Sequence, residues 1–198
     1  VSEDFGCLVL SGPRARNILG TITPDLLDNE GFPWLRAREI KAAGITVRAL
    51  RLSYVGELGW ELHVPMAGMA RVYDALREAG RPHGLGNFGS YALNAMRLEK
   101  GFKGTSELTN EVTLPEAEVM RFVKLDKGDF VGRAATVASL GSPPRWRCAY
   151  LAIEAGDADC NGGDAVFADG KVVGAVSSGA YGHCVGRSLA FAYLKPDC

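Results

Sequence analysis

The sequence predicts an α+β fold, and three features of its patterning indicate this class. Residues 47–52 and 60–64 alternate apolar with polar or small side chains on either side of a glycine-containing connection, which is typical of a β-hairpin. Apolar residues recur with helical spacing within 69–76, and a second helix is indicated over 89–100. After residue 144 short apolar runs alternate with turn residues, which predicts a small β-barrel or sandwich.

Turn residues mark the elements of the first half of the chain. Pro13 suits the first position of a helix and Gly20 suits its end, so a short helix is expected over 14–19. Residues 21–34 are rich in Pro, Asp, Asn and Gly, which predicts a loop with one helical turn. Ala43-Gly44 is expected to turn the chain into the hairpin. The strands predicted before residue 65 are 7–10, 35–40, 47–52 and 60–64.

Two helices are predicted in the middle of the chain. Met69, Val72 and Leu76 share one face of the first, which Gly80 ends. In the second helix Ser90, Asn94 and Arg97 fall on one stripe. Further segments predicted here are an irregular stretch over 101–118, a strand over 122–125 and a helix over 132–140.

The Gly-Ser-Pro-Pro stretch at 141–144 predicts a linker, so the expected domains are 1–140 and 141–198. Asp169-Gly170 between two apolar runs indicates a hairpin with a type I′ turn. The strands predicted in the second domain are 148–153, 165–168, 171–176 and 189–194.

Composition limits the classes of partner. Lysine and arginine number 22 against 23 acidic residues, so the charge balance indicates neither a nucleic-acid nor a membrane-surface partner. No apolar run is long enough for a membrane span. The five cysteines include no Cys-x-x-Cys pair, which favours free thiols in a reducing compartment such as the cytoplasm. The three histidines are far apart, and no metal site is predicted.

Two motif-like stretches are interpreted as loops. Residues 84–89 match Gly-x-Gly-x-x-Gly, but no strand is predicted before them, as a dinucleotide site would require. Residues 157–162 begin like a calcium loop, yet Ala168 stands where the bidentate glutamate would be. We therefore expect neither a dinucleotide site nor a calcium site at these positions.

Three ordered stretches resemble the glycine-cleavage T-protein (aminomethyltransferase) family. Residues 53–61 read Ser-Tyr-Val-Gly-Glu-Leu-Gly-Trp-Glu, similar to the family pattern Tyr-Thr-Gly-Glu-x-Gly-aromatic-Glu. Residues 84–101, with Met-Arg-Leu-Glu-Lys-Gly at their end, resemble its Gly-Leu-Gly…Leu-Arg-Leu-Glu helix. Residues 125–133 resemble its Lys-x-x-Phe-Ile-Gly segment. The sequence of these stretches is most similar to that of the T-protein-like domain fused behind flavin domains in sarcosine and dimethylglycine dehydrogenases.

The resemblance implies a folate site made by Tyr54, Glu61 and Arg97. Glu61 would hold the pterin edge by accepting its ring N–H and amino group together, and Tyr54 would line the same pocket. Arg97 would fix Glu61 or the ligand. From the residues alone, Glu61 is an ordinary glutamate on the solvated face of a strand. An ion pair with Glu57, Glu61 or Glu99 equally accounts for Arg97.

The resemblance also implies a fold, a reaction and a cofactor. The fold would be a truncated aminomethyltransferase-like folate-binding domain followed by a small C-terminal β-barrel, in the cytoplasm or, in a eukaryote, the mitochondrial matrix. The reaction would be transfer of a one-carbon unit from an amine to tetrahydrofolate, giving 5,10-methylenetetrahydrofolate. The family's acidic residue beside the reacting folate nitrogen is expected before Val1, so no catalytic residue is assigned and the activity of this part stays open. FAD is expected only if a flavin domain lies upstream, and self-association is left open.

Two alternative functions fit the same residues. The chain could bind folate without catalysing a reaction, as a binding module. It could also belong to a folate-dependent O- or S-demethylase built on the same scaffold. Binding of tetrahydrofolate without methylene transfer would favour the module.

Overall fold

The computed structural model of the protein describes residues 3–197 and divides the chain into two compact units, with the boundary between Leu93 and Asn94. Each unit contains one antiparallel sheet of four strands. Helices accompany these sheets, and the α+β class is thereby confirmed. The predicted domain division at residues 140 and 141 stays a prediction.

The first unit has its strands in the order β1-β4-β3-β2, so that the C-terminal strand of the predicted hairpin is central. Its elements are β1 (Phe5–Ser11), α1 (Ala15–Ile22), β2 (Ala37–Ala42), β3 (Ile45–Leu50), β4 (Gly59–Pro65) and α2 (Met69–Gly80). Ala43 and Gly44 form the turn between β2 and β3, both with positive φ. The hairpin of β3 and β4 is confirmed, with Ala49 opposite Leu62.

Alternation along β4 determines which face of this sheet is buried. Trp60, Leu62 and Val64 are fully buried in a core that also contains residues of α1 and α2, including Leu19 and Val72. Burying such side chains contributes about 1.5–3 kcal/mol each. Because successive strand residues point to opposite faces, Glu61 and His63 lie on the other face of the sheet.

The first helix differs from its prediction. α1 continues through Gly20 to Ile22, although Gly20 was expected to end it. A glycine inside a helix costs only about 1 kcal/mol relative to alanine, and burial of Ile18 and Leu19 outweighs this cost. The following segment, 23–36, is a loop of turns and bends in which the Phe32 N–H donates to the Asp28 carbonyl at 3.0 Å, closing the single helical turn expected there. The strand expected at 35–40 forms two residues later, as β2.

The second unit has its strands in the order β5-β8-β7-β6. Its elements are α3 (Ser90–Glu99), which starts before the unit boundary, α4 (Arg133–Leu140), β5 (Arg147–Ile153), β6 (Ala165–Ala168), β7 (Lys171–Gly182) and β8 (Arg187–Leu194). Asp169 and Gly170, with φ of 48° and 74°, make the predicted tight turn. Buried side chains of α3, β5 and β8, among them Leu98 and Phe191, form one core cluster.

The prediction of a strand over 122–125 is wrong. The chain forms a short 3₁₀ turn at Met120–Phe122, and the ring of Phe122 is mostly exposed. A strand needs a neighbour that accepts and donates its backbone hydrogen bonds, and no described strand pairs with this segment. Among helices in residues 3–197, none combines the length and hydrophobicity required to span a bilayer.

Candidate functional site

Glu61 lies in the centre of the first sheet, on the face opposite the apolar core. Its neighbours across the sheet are Val9 of β1 and Leu50 of β3. Its side chain is 29% exposed, and its Oε2 lies 3.6 Å from His63 Nε2. No hydrogen bond to its carboxylate comes from another residue in 3–197, so both oxygens remain available to accept donors.

Tyr54 lies in the connection between β3 and β4, seven residues before Glu61 and in the same unit. Its side chain is 37% exposed, whereas the neighbouring Val55 is buried. Gly56, with φ of 72°, takes a left-handed conformation that favours glycine. Burial of Val55 therefore anchors the connection next to Tyr54, whereas Tyr54 itself remains partly exposed to solvent.

Arg51 holds the start of this connection. Its buried guanidinium donates to the carbonyl of Phe32 at 2.6 Å and to Asn29 Oδ1 at 2.8 Å. It also lies over the ring of Trp60, 5.8 Å from the ring centroid. Burial lowers the pKa of Arg51, and the neighbouring charge of Arg16 lowers it further. These contacts link the loop to the strand that presents Glu61.

Arg97 belongs to the second unit and is almost completely buried in α3. Its Nη1 donates to Glu107 Oε2 at 2.8 Å and to the carbonyl of Phe102 at 2.9 Å. Its Nε and Nη2 both donate to Asn94 Oδ1, at 3.0 and 2.8 Å. Four of its five N–H groups are thus used within the second unit, which leaves one for a ligand.

The ion pair with Glu99 considered for Arg97 does not form. The partner in the second unit is Glu107, and Glu99 instead accepts the backbone N–H of Cys184 at 2.6 Å. Glu107 also accepts hydrogen bonds from the backbone N–H of Gly104 and from two serine hydroxyls, at 2.7, 2.8 and 2.5 Å; the serines are Ser177 and Ser178. This fully buried carboxylate is the centre of the network that fixes the orientation of Arg97.

The pKa of Glu107 reflects opposing effects. Burial alone would raise it, because desolvation disfavours the charged form. Hydrogen bonds from Ser178, Gly104 and Ser177, together with the charge of Arg97, outweigh burial and lower the pKa below its ordinary value. The carboxylate therefore stays ionised beside the guanidinium.

Glu107 and the two serines were not predicted from the sequence. Glu107 lies in a stretch interpreted as irregular, and 70 residues separate it from Ser177. No linear spacing indicates such a network, because β7 brings the serines to Glu107 only in the folded second unit.

A largely apolar cavity of about 650 Å³ lies within the first unit. Its lining includes Leu10 and Ile18 and the whole 84–89 loop. The element before that loop is a 3₁₀ turn at Arg81–His83, not a strand. The segment therefore lacks the preceding strand that a dinucleotide fingerprint requires.

Two family models match the chain. The model described as GCVT N-terminal domain matches residues 1–127, and the one described as glycine cleavage T-protein C-terminal barrel domain matches residues 147–198. The chain belongs to the glycine-cleavage T-protein family. The expected C-terminal barrel-like domain is confirmed by the same comparison.

Curated relatives include enzymes of two kinds. Human mitochondrial dimethylglycine dehydrogenase is 40% identical over 198 residues, covering 98% of this chain and 23% of that protein. Mouse mitochondrial sarcosine dehydrogenase is 38% identical, covering 98% of this chain and 21% of that protein. The aminomethyltransferase of Saccharopolyspora erythraea is 34% identical, covering all of this chain and 54% of that protein. This T-protein-family chain thus spans about a fifth to a half of their lengths.

A solved structure has the same fold. The glycine cleavage system aminomethyltransferase T from Bartonella henselae superposes with a TM-score of 0.83 at 24% identity. The match covers 96% of this chain and 51% of that one. The aminomethyltransferase-like fold expected for this T-protein-family chain is thereby confirmed.

Proposed function

We propose that the chain is the folate-binding part of a one-carbon transferase, in which tetrahydrofolate accepts a one-carbon unit from an amine to give 5,10-methylenetetrahydrofolate. The observation that carries the proposal is the placement of Glu61. It is a carboxylate on a rigid central strand, turned away from the core and without a hydrogen-bond donor from residues 3–197.

A carboxylate of this kind fits the edge of a pterin. The ring N–H and the exocyclic amino group lie side by side and donate in parallel, as a carboxylate requires for a two-point contact. Tyr54, half-exposed in the adjoining connection, is suited to pack on the ring or to hydrogen-bond with it. Holding the folate nitrogen against the incoming carbon in a fixed geometry would be the protein's main catalytic contribution.

Arg97 has a different part in the proposal. Because Glu107 and Asn94 already use most of its donors, Arg97 is a positioning residue with at most one N–H for the ligand. The expectation that Arg97 fixes Glu61 or the ligand stays a prediction, which rests on this remaining N–H.

The relatives support dimethylglycine or sarcosine as the donor, because their names state those substrates. FAD would belong to a separate flavin domain that oxidises the amine. The mitochondrial names of the animal relatives support the matrix as the compartment in a eukaryote, and the cytoplasm stays the expectation otherwise.

The test is a titration of the 198-residue chain with tetrahydrofolate, followed by tryptophan fluorescence. We expect saturable binding that Glu61→Gln weakens roughly 10–100-fold, because hydrogen bonds to a charged group contribute about 1.5–3 kcal/mol. Glu39→Gln is the matched control: Glu39 is an exposed glutamate of β2 in the same sheet. Equal affinity of Glu61→Gln and the unsubstituted chain would overturn the proposal.

A methylene-transfer assay on the same preparations, with formaldehyde supplied as the already oxidised one-carbon unit, separates the alternatives. Binding with turnover supports the transferase, and binding without turnover supports a folate-binding module. Transfer of a methyl group from a methyl ether or thioether, giving 5-methyltetrahydrofolate, would assign the chain to the demethylases.

A further inference from the structure

Three side chains of different chemistry meet on the face of the first sheet that lies opposite its apolar core. Cys7 of β1 and His63 of β4 are direct partners in the antiparallel pairing. Glu61 precedes His63 by two residues and so points to the same side. The thiol, the imidazole and the carboxylate are consequently neighbours on this face.

The distances between their polar atoms approach those of a metal site. One potential ligand atom from each of Cys7, Glu61 and His63 lies within 4.8 Å of the other two. Tetrahedral zinc, bound at its usual bond lengths, keeps its ligand atoms about 3.3–3.8 Å apart. Glu61 Oε2 and His63 Nε2 are already 3.6 Å apart. Only a small movement of the Cys7 side chain is needed to bring its Sγ to the ligand spacing of a tetrahedral site.

A second observation concerns the imidazole itself. His63 Nε2 is shielded from solvent and has no hydrogen-bond partner in residues 3–197. A polar nitrogen that loses water without gaining a partner costs free energy, so a ligand that engages Nε2 would be stabilising here. The contact with Glu61 at 3.6 Å is too long to be that partner. A cation between the two side chains would satisfy both.

We propose that Cys7, Glu61 and His63 form a binding site for Zn²⁺. Thiolate, imidazole and carboxylate are its usual protein ligands, whereas calcium and magnesium prefer oxygen ligands only. Three protein ligands leave the fourth tetrahedral position to solvent or to a substrate atom. The site is therefore of the open kind, with an exchangeable ligand.

This inference goes beyond the proposed folate function but shares Glu61 with it. A carboxylate that coordinates zinc cannot also hold the pterin edge, so zinc and tetrahydrofolate should compete. Saturation with zinc is expected to weaken folate binding to about the level of Glu61→Gln.

The test uses Co²⁺ as a spectroscopic substitute for zinc in the reduced 198-residue chain. We expect one equivalent to produce a thiolate-to-cobalt charge-transfer band and the visible bands of tetrahedral cobalt, both removed by added Zn²⁺. Cys7→Ser should abolish the charge-transfer band, and Cys184→Ser, at another exposed cysteine, should retain it. His63→Gln should weaken binding by more than the 10–100-fold that loss of an outer-shell partner typically costs.

The outcomes distinguish this inference from the proposed function. Unchanged cobalt spectra in Cys7→Ser, or no stoichiometric band in the unsubstituted chain, overturn the zinc site whatever the folate titration gives. Loss of the band in Cys7→Ser upholds the zinc site even if Glu61→Gln binds folate normally. Circular dichroism of each variant verifies that the fold is retained, and His83→Gln provides a matched histidine control.

Discussion

At the residue scale, the contact of Arg97 with Glu107 is buried, and further donors surround the carboxylate of Glu107. Taking two charges out of water is costly, and the attraction between them repays this only when other donors satisfy the remaining lone pairs. Gly104 and the hydroxyls of Ser177 and Ser178 supply those donors to Glu107. The pair is consequently maintained by its surroundings as much as by its own charge attraction.

Removing one partner of this pair should be severely destabilising. We expect Glu107→Ala to lower the free energy of unfolding by about 3–5 kcal/mol, because the guanidinium of Arg97 is left buried without its counter-charge. Urea denaturation measures the change. Glu118→Ala is the matched control, since Glu118 pairs with Arg147 at 2.8 Å near the surface and should cost less than about 1 kcal/mol. Similar losses for both variants would contradict this account.

At the element scale, close approach of β1 to β4 depends on Gly59. A Cβ atom there would lie 2.6 Å from the carbonyl oxygen of Leu10 and 2.8 Å from Ser11 Oγ. The φ of Gly59 is not positive, so the requirement is for space and not for an unusual backbone conformation. This glycine belongs to the motif that resembles the family, and it positions the strand that presents Glu61.

Gly59→Ala should therefore separate the ends of two strands. We expect a loss of about 1–3 kcal/mol in the free energy of unfolding, as is typical of overpacking, and weaker folate binding through displacement of Glu61. Gly86→Ala is the control, because a Cβ at Gly86 meets no atom within 4 Å and its φ is not positive. Thermal denaturation of both variants measures the difference; an effect at Gly86 as large as that at Gly59 would refute the explanation.

At the scale of the whole molecule, the chain consists of two units that each bury a separate apolar core. The core of the first unit surrounds Trp60, while that of the second includes Leu98 and Phe191. Within the second unit, Glu116 joins distant parts of the chain. It accepts the backbone N–H and Nε of Arg145, both at 3.0 Å, and the N–H of Thr113 at 2.8 Å.

These contacts make the stability of the molecule dependent on pH. Hydrogen bonds from Arg145 first, then those from Thr113, lower the pKa of Glu116 to about 2 despite its burial. A depressed pKa in the folded state contributes stability that is present above the ordinary carboxyl pKa and lost as the pH falls toward 2. The contribution is on the order of 2–3 kcal/mol.

Urea denaturation between about pH 5 and pH 2 tests this dependence. We expect the unfolding free energy of the unsubstituted chain to fall more steeply over this window than that of Glu116→Gln, which has no proton to gain. Parallel slopes for the two proteins would show that other carboxylates determine the acid response.

Local sequence patterns were sufficient to predict most of the helices and strands. Alternation predicted β3 and β4 and the burial of Trp60, and helical spacing predicted α2, because these periods reflect one buried face and need no distant partner. Local signals failed where burial or pairing decided the outcome. α1 passes through Gly20 because its neighbours are buried, and 122–125 forms no strand because no strand pairs with it.

Among the residues proposed to bind a ligand, some are predictable from the local sequence and others are not. The motif indicates Glu61 and Tyr54, and the period of a strand is enough to place Glu61 on the face away from the core. The partners of Arg97 and the neighbours of His63 are different, since Glu107 is ten residues from Arg97 and Cys7 is on another strand. Periodicity and turn residues predicted most of the elements, and three ordered motifs carried the resemblance to the family, whereas strand pairing and burial established which polar groups meet. The physical reason is that periodicity depends on neighbours in the chain, while hydrogen-bond and metal-ligand geometry depends on residues that only folding brings together.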